Sequence, residues 1–385
     1  MSNKLLIAPI LISGIAIICI AAFADSENPK HDKLGPYQLV TTISLPGGLA
    51  GFDISWVDSR AGRYYLADRG NSTATPAVPP RVDVIDTDKD TWLLSITGFA
   101  GPNGLLTIRQ PDADDNPFGD NHGELWVGDA DSTAKVVDLK TNAIVATIPT
   151  SGTSRADELA YDPVDKVILI ANDRDNPPFV TFISAKTRTV LGKLSYPQAV
   201  FGSPATNHGI EQSVWDGRTK HFYLSIPGTS TNPNGEVDEI DPNSEKVTNV
   251  VKATCSPAGL ALIPGQHLMT SCGDVIDIST GAVVTTVAGV GADEIWYNRG
   301  DERVYFGGGT NRISVNVVDA TNYSLVTTLT VGVINTPPTP SQTTHSVAAD
   351  SENNRVFVPV SNVGIQVYTD DEDHDHGNGH GHGER

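Results

Sequence analysis

Positive charge is scarce in this chain: 385 residues carry 26 lysines and arginines against 46 aspartates and glutamates, a formal net charge of −20 with neutral histidines. Such a surface repels phosphate backbones. With no basic stripe and no row of stacking aromatics, nucleic-acid binding is excluded. Cysteine is sparse too, three residues in all, and no paired zinc-binding Cys motif, Gly-x-Ser-x-Gly elbow or phosphate loop occurs. Long apolar stretches are missing except at the start, where residues 5–22 run without a charge after Lys4 and lead into Ala22-Phe-Ala24. This reads as a cleaved secretory signal over residues 1–24. The alternative is a retained anchor, because the run is close to the ~18 residues that span a bilayer. No lipobox precedes Cys19. The expected mature protein is secreted or periplasmic, has no membrane contact after cleavage, and begins with a polar lead-in over residues 25–35.

What the chain does have is repetition. The segment Arg81-Val-Asp-Val-Ile-Asp86, followed by a polar turn and an apolar run to Ile96, returns at residues 134–148, 179–193, 236–250, 274–287 and 313–329. A period of roughly 40 to 50 residues marks propeller blades. Each unit reads as four short strands separated by Gly, Asp, Asn and Pro; in the first unit these are residues 52–57, 63–67, 81–85 and 92–96. The last unit offers three strands, at 346–349, 355–360 and 364–368, before a charged tail. A spare strand at 37–45 supplies the fourth. Pairing it beside 364–368 closes a ring and removes the exposed interface an open stack of blades would leave. The expectation is an all-β fold, a seven-bladed β-propeller of four-stranded antiparallel blades over residues 36–369.

After the signal, two cysteines remain, Cys255 and Cys272, flanking a hairpin that turns at Pro264-Gly265. They face each other on adjacent strands as a candidate disulfide, with two reduced thiols as the alternative.

Aligning the starts of the innermost strands brings together Asp53, Asn103, Asp157, Glu211, Pro257, Asp293 and His345. In a propeller these starts share one face beside the central channel, and the ends of second strands return to it, adding Asp68, Asp129 and Asp173. Crowded carboxylates raise one another's pKa unless neutralised, and oxygen-ligated divalent cations do this. A cation is therefore expected at the channel mouth, held by Asp53, Asn103, Asp157, Glu211, Asp293 and His345. The oxygens favour calcium, whereas His345 and His208 pull toward zinc. The alternative is a wet channel whose polar strand starts hydrogen-bond water and neighbouring turns. Asp112, Asp114 and Asn116 mimic the start of a calcium loop, but Pro117 takes the place of its glycine, so a solvated acidic loop is the better reading. Residues 370–385 form a disordered His/Asp-rich tail in which His374, His376, His380 and His382 suit zinc, nickel or copper.

The phrase Val82-Asp-Val-Ile-Asp-Thr-Asp-Lys-Asp90, together with His345-Ser-Val-Ala-Ala-Asp350 and Arg355-Val-Phe-Val358, resembles the YVTN-type seven-bladed propellers of exported bacterial proteins. More distantly, the channel mouth is similar to that of calcium-dependent lactonases of the gluconolactonase and paraoxonase kind. The first resemblance implies an exported propeller, a fold that serves many functions. The second implies a calcium site at Glu211, Asn103, Asp53, Asp157 and Asp293, although Asp53 stands where gluconolactonases carry Glu. Two functions follow. One is a binding scaffold that takes a small molecule or protein at the channel face. The other is a metal-dependent lactonase or esterase in which Glu211 or His345 deprotonates water.

Overall fold

The repeated phrase folds as the outer hairpin of a blade. Asp86, Asp138, Asp241, Asp277 and Asp319 each end a third strand and accept backbone N–H groups two or three residues on, for example Lys89 to Asp86 at 3.0 Å and Thr321 to Asp319 at 2.9 Å. In these five hairpins and in blade 3, where Ser184 ends the third strand, the fourth residue after the strand end takes a positive φ: 52° at Asp90, 54° at Asn142, 55° at Arg188 and Glu245, 65° at Gly281 and 62° at Tyr323. In all six hairpins the ladder slips by one residue just beyond the turn, as between Val84 and Ile85. A side-chain-capped turn with a left-handed residue and an adjoining bulge is thus what the repeat encodes.

The structure, a computed structural model, describes residues 34–109, 123–198, 209–308, 312–332 and 341–371. It holds seven four-stranded antiparallel sheets. The innermost strands of blades 1 to 7 are Phe52–Asp58, Pro102–Arg109, Leu159–Asp162, Ser213–Asp216, Leu260–Ile263, Glu294–Asn298 and Ala348–Asp350. Blade 7 is completed by Leu34–Ile43, which pairs antiparallel with Gly364–Asp371 (Thr42 opposite Gln366, Ile43 opposite Ile365). Closure by the N-terminal strand is therefore as expected, two to three residues earlier than the apolar pattern suggested.

Apolar cores lie between blades. Leu169, Val180 and Phe182 of blade 3 meet Phe222, Leu224 and Ile240 of blade 4. Across the ring closure, Tyr64 and Leu66 of blade 1 meet Phe357, Ile365 and Val367 of blade 7. Outer strands alternate exposed and half-buried residues, whereas second and third strands are almost wholly buried, as expected for sheets packed face to face around an axis. Circumferential hydrogen bonds lock the inner wall: Ser55 N to Ser346 Oγ at 2.9 Å, Trp56 Nε1 to Thr107 Oγ1 at 3.0 Å, and Leu260 N to Gln212 Oε1 at 2.6 Å.

Candidate functional site: the central channel

At the end of the channel where the inner strands begin, two arginines stand among the acids. Arg155, in the loop that leads into blade 3, is mostly buried. It donates from Nη1 to Asp53 Oδ2 at 3.1 Å, approaches Asp157 Oδ2 with Nη2 at 2.5 Å, and holds Asp173 through Nη2 at 2.7 Å and Nε at 3.0 Å. Arg69, just after the second strand of blade 1, pairs with Asp53 and donates to Asn103 Oδ1 at 2.5 Å. Asn103 Nδ2 in turn donates to the Ala156 carbonyl at 3.0 Å. His345 stacks on Phe52 with ring centroids 4.7 Å apart, its Nε2 3.4 Å from Asp53 Oδ1. This lattice joins blades 1, 2, 3 and 7. Blade 2 comes close enough to seat Asp157 because Gly104 and Gly128 back onto it; a Cβ at either would overlap the Asp157 carbonyl oxygen.

The lattice tunes its members unequally. Burial alone would raise the Asp53 pKa, but the His345 hydrogen bond and the charges of Arg69 and Arg155 hold it below the usual carboxylate value. Asp157 moves the other way, well above that value, because burial and the nearby Asp173 and Asp53 outweigh Arg155; its Oδ1 is buried without a hydrogen-bond partner. Burial lowers the His345 pKa, yet Asp53, Asp293 and Glu294 bring it above the ordinary imidazole value, which favours imidazolium over a free base.

Four of the sequence-derived residues, Asp53, Asn103, Asp157 and His345, thus meet in one network. Glu211 and Asp293 lie at the same end but outside it: Asp293 is exposed, and Glu211 is half-buried with its pKa raised by burial and by Asp173, Asp293 and Asp157. Of the second-strand acids only Asp173 joins. Asp68 binds Arg81 at 3.0 Å, and Asp129 pairs with Lys135 and caps the N–H groups of Ala100 and Gly101, so both are spent at the blade edge. In blade 5 the register moves by one from expectation. The Ser271 N–H bonds the Gly259 carbonyl where blade 4 uses Gln212, placing Ala258, not Pro257, at the leading position.

One residue along from the rim, the sequence alignment overlooked two carboxyls. Glu158 and Glu294, from blades 3 and 6, are buried and close enough across the channel to influence each other's ionisation. Burial, Glu294 and Asp157 raise the Glu158 pKa well above normal; burial brings Glu294 up to about 7. Two to three residues further along the strands, about 7–10 Å at ordinary strand rise, the channel turns aromatic, with Trp56, Tyr161, Trp215, Trp296 and Tyr297. Trp56 and Trp296 meet edge to face at 5.2 Å. Between carboxyls and aromatics lies a cavity of about 450 Å³ with mostly apolar walls, interrupted by Ser55, Thr107, Gln212, Ser213 and Ser346. Ser213, another lining residue, has a buried Oγ with no hydrogen-bond partner.

These residues do not fit the calcium site that the lactonase resemblance implies. One oxygen each of Asp53, Asn103 and Asp157 is engaged by a guanidinium group, and the second oxygen of Asp53 faces His345. Among the described residues, the sole trio of His, Cys, Asp and Glu side chains with ligand atoms within 4.8 Å of one another is Cys255, Cys272 and Asp274 of blade 5, which includes none of the expected mouth ligands. Its two cysteines are bonded to each other, with Cα atoms 6.0 Å apart. The charge crowding read from sequence is real, but arginines answer it. Residues 1–33, the acidic loop at 112–120, His208 and the tail histidines His374, His376, His380 and His382 lie outside the described residues.

The fold and channel define a seven-bladed β-propeller with a walled central cavity. No protein-family model matches the chain, and no curated protein matches it in sequence. Among the described residues no helix is long and apolar enough to cross a membrane.

Proposed function

We propose that the chain is an exported binding protein whose ligand, a small molecule or the tip of a partner chain, occupies the central channel. The observation that carries this reading is the cavity of about 450 Å³, walled by three tryptophans and two tyrosines and ending on polar groups. Ligand sites in proteins have this size and this apolar lining with a few convergent polar atoms. The bonded cysteine pair and the apolar N-terminal stretch support export. The YVTN-type resemblance agrees with such a scaffold. Titration followed by tryptophan fluorescence, with Leu262→Trp filling the aromatic end, tests the reading: binding lost in Leu262→Trp while the fold is retained supports it, and binding unchanged removes it.

The hydrolase alternative draws support from Glu211, a half-buried carboxyl at the channel end whose pKa burial and neighbouring acids push above the ordinary value. Turnover of lactones or aryl esters that disappears in Glu211→Gln is its signature. Transition-metal capture by the tail is a separate proposal, resting on composition. It is tested by zinc calorimetry on the full chain, with and without alanine at His374, His376, His380 and His382. Metal analysis of the protein whose tail is so altered tests for calcium at the mouth, which would have to displace Arg69 and Arg155.

A further inference from the structure

Every carboxylate in the rim lattice has a cationic partner, whereas of the two carboxyls inside the channel Glu158 has none and Glu294 feels only the rim imidazole of His345. Glu158 and Glu294 line the cavity with no lysine, arginine or histidine among the lining residues. Each is more than nine-tenths buried, and both line the same cavity. Two acids sharing a low-dielectric site must keep a proton between them or gain a counter-charge. The opposite wall offers five aromatic rings whose faces attract cations. An anion would meet uncompensated acid. A bare divalent metal would lack the six to eight oxygens that calcium takes, since no third acidic ligand atom converges on the pair.

We infer that the channel ligand is an organic cation with an apolar body, its ammonium group set against Glu158 and Glu294 and its body held between Trp56, Trp215 and Trp296. This inference rests on the channel being the binding site. It names what the site selects. The acidic surface, with a net charge of −20, concentrates such cations before they bind.

Binding has a proton balance. At neutral pH the pair retains a proton; when a quaternary ammonium takes its place, both carboxyls ionise and the proton leaves to solvent. Asp157 and Glu211 face Glu158, and Asp293, Asp53 and His345 face Glu294. Arg155 faces Asp157 and Glu211. Affinity for the cation therefore rises with pH through about 7, where Glu294 ionises.

The test uses the full chain and one body with three head groups: phenylbutyl-trimethylammonium, phenylbutanol and phenylbutyrate, followed by calorimetry and tryptophan fluorescence. The expected result is that the cation binds about tenfold more tightly than the alcohol, as a desolvated cation–aromatic and ion contact provides. Butyrate should show no binding. In the Glu158→Gln, Glu294→Gln double variant, the cation should fall to the affinity of the alcohol, and proton release, read as a dependence of heat on buffer, should vanish. If alcohol and cation bind equally, and both are lost in Leu262→Trp, the cation inference fails while the channel reading stands. If no probe binds, or cation binding is untouched by both Leu262→Trp and the double Gln variant, both fail.

Discussion

Two successive layers of the channel, one residue apart along the inner strands, handle acid in opposite ways. At the rim, Asp53, Asp157 and Asp173 converge on Arg155, with Arg69 and His345 beside them. Inside, Glu158 and Glu294 face each other with no base in the cavity wall. The rim behaves as structure, a charge lattice that clasps four blades. The interior keeps unspent charge in an apolar cavity, which is the arrangement a ligand site needs.

The largest expected effect comes from breaking the rim. Arg155→Ala removes the shared partner of three buried carboxylates, leaving Asp157 without an ion pair while Asp53 keeps Arg69 and Asp173 keeps Arg174, and should cost about 3–5 kcal/mol, read from urea unfolding at neutral pH. That loss should shrink in acid as the orphaned carboxylate takes up a proton. Blade 5 presents Ala258 instead of an acid at its leading position and carries the Cys255–Cys272 bond near the same face. Replacing both cysteines with serine opens a loop of separation 17 and should cost about 2–4 kcal/mol. A loss well below that would mean blade 5 is held by packing alone.

Glu294→Gln should act in the other direction and stabilise the fold at pH 8 by about 1–3 kcal/mol, each pKa unit being worth about 1.4. The sign follows from Glu294 being raised from 4.5 to about 7. The unfolded chain releases its proton first, so stability falls as pH rises between those values, and the Gln variant lacks that fall. Asp53, whose pKa is lowered, gives the opposite slope: its contribution is present above the unfolded value of 3.8 and disappears as pH drops further. Thermal melts of the parent and the two variants Asp53→Asn and Glu294→Gln across pH 3 to 8 would separate the two layers; parallel curves would erase the contrast. The smallest effect belongs to the aromatic end. Trp296→Phe alters the edge-to-face contact with Trp56 and should cost about 1 kcal/mol or less, while changing the fluorescence response to any channel ligand.

Much of the fold was legible. The turn acids Asp86, Asp138 and Asp319, the seven repeats and the spare N-terminal strand are local signals, and each reports on a few neighbouring residues. The site was legible in part. Asp53, Asn103, Asp157 and His345 meet because blade register brings strand starts to one face. Arg69 and Arg155 escaped notice because they sit in connections, outside the strand template, although each lies within two residues of an aligned or second-strand acid. Glu158 and Glu294 were passed over as second residues of their strands, which simple alternation turns away from the axis. In the structure Glu158 precedes its strand, Leu159–Asp162, and Glu294 opens its own, Glu294–Asn298, so strand alternation does not govern either side chain.

By itself the sequence determined the repeat, the capped turns, the blade count and the face on which the acids gather, because these depend on short-range pattern and on one period. Only the tertiary structure decided that Arg155 would neutralise Asp53 from 102 positions away, and that Glu158 and Glu294 would be left facing each other across a cavity. Charge pairing is set by distances between side chains on different blades, and those distances exist only once the ring has closed.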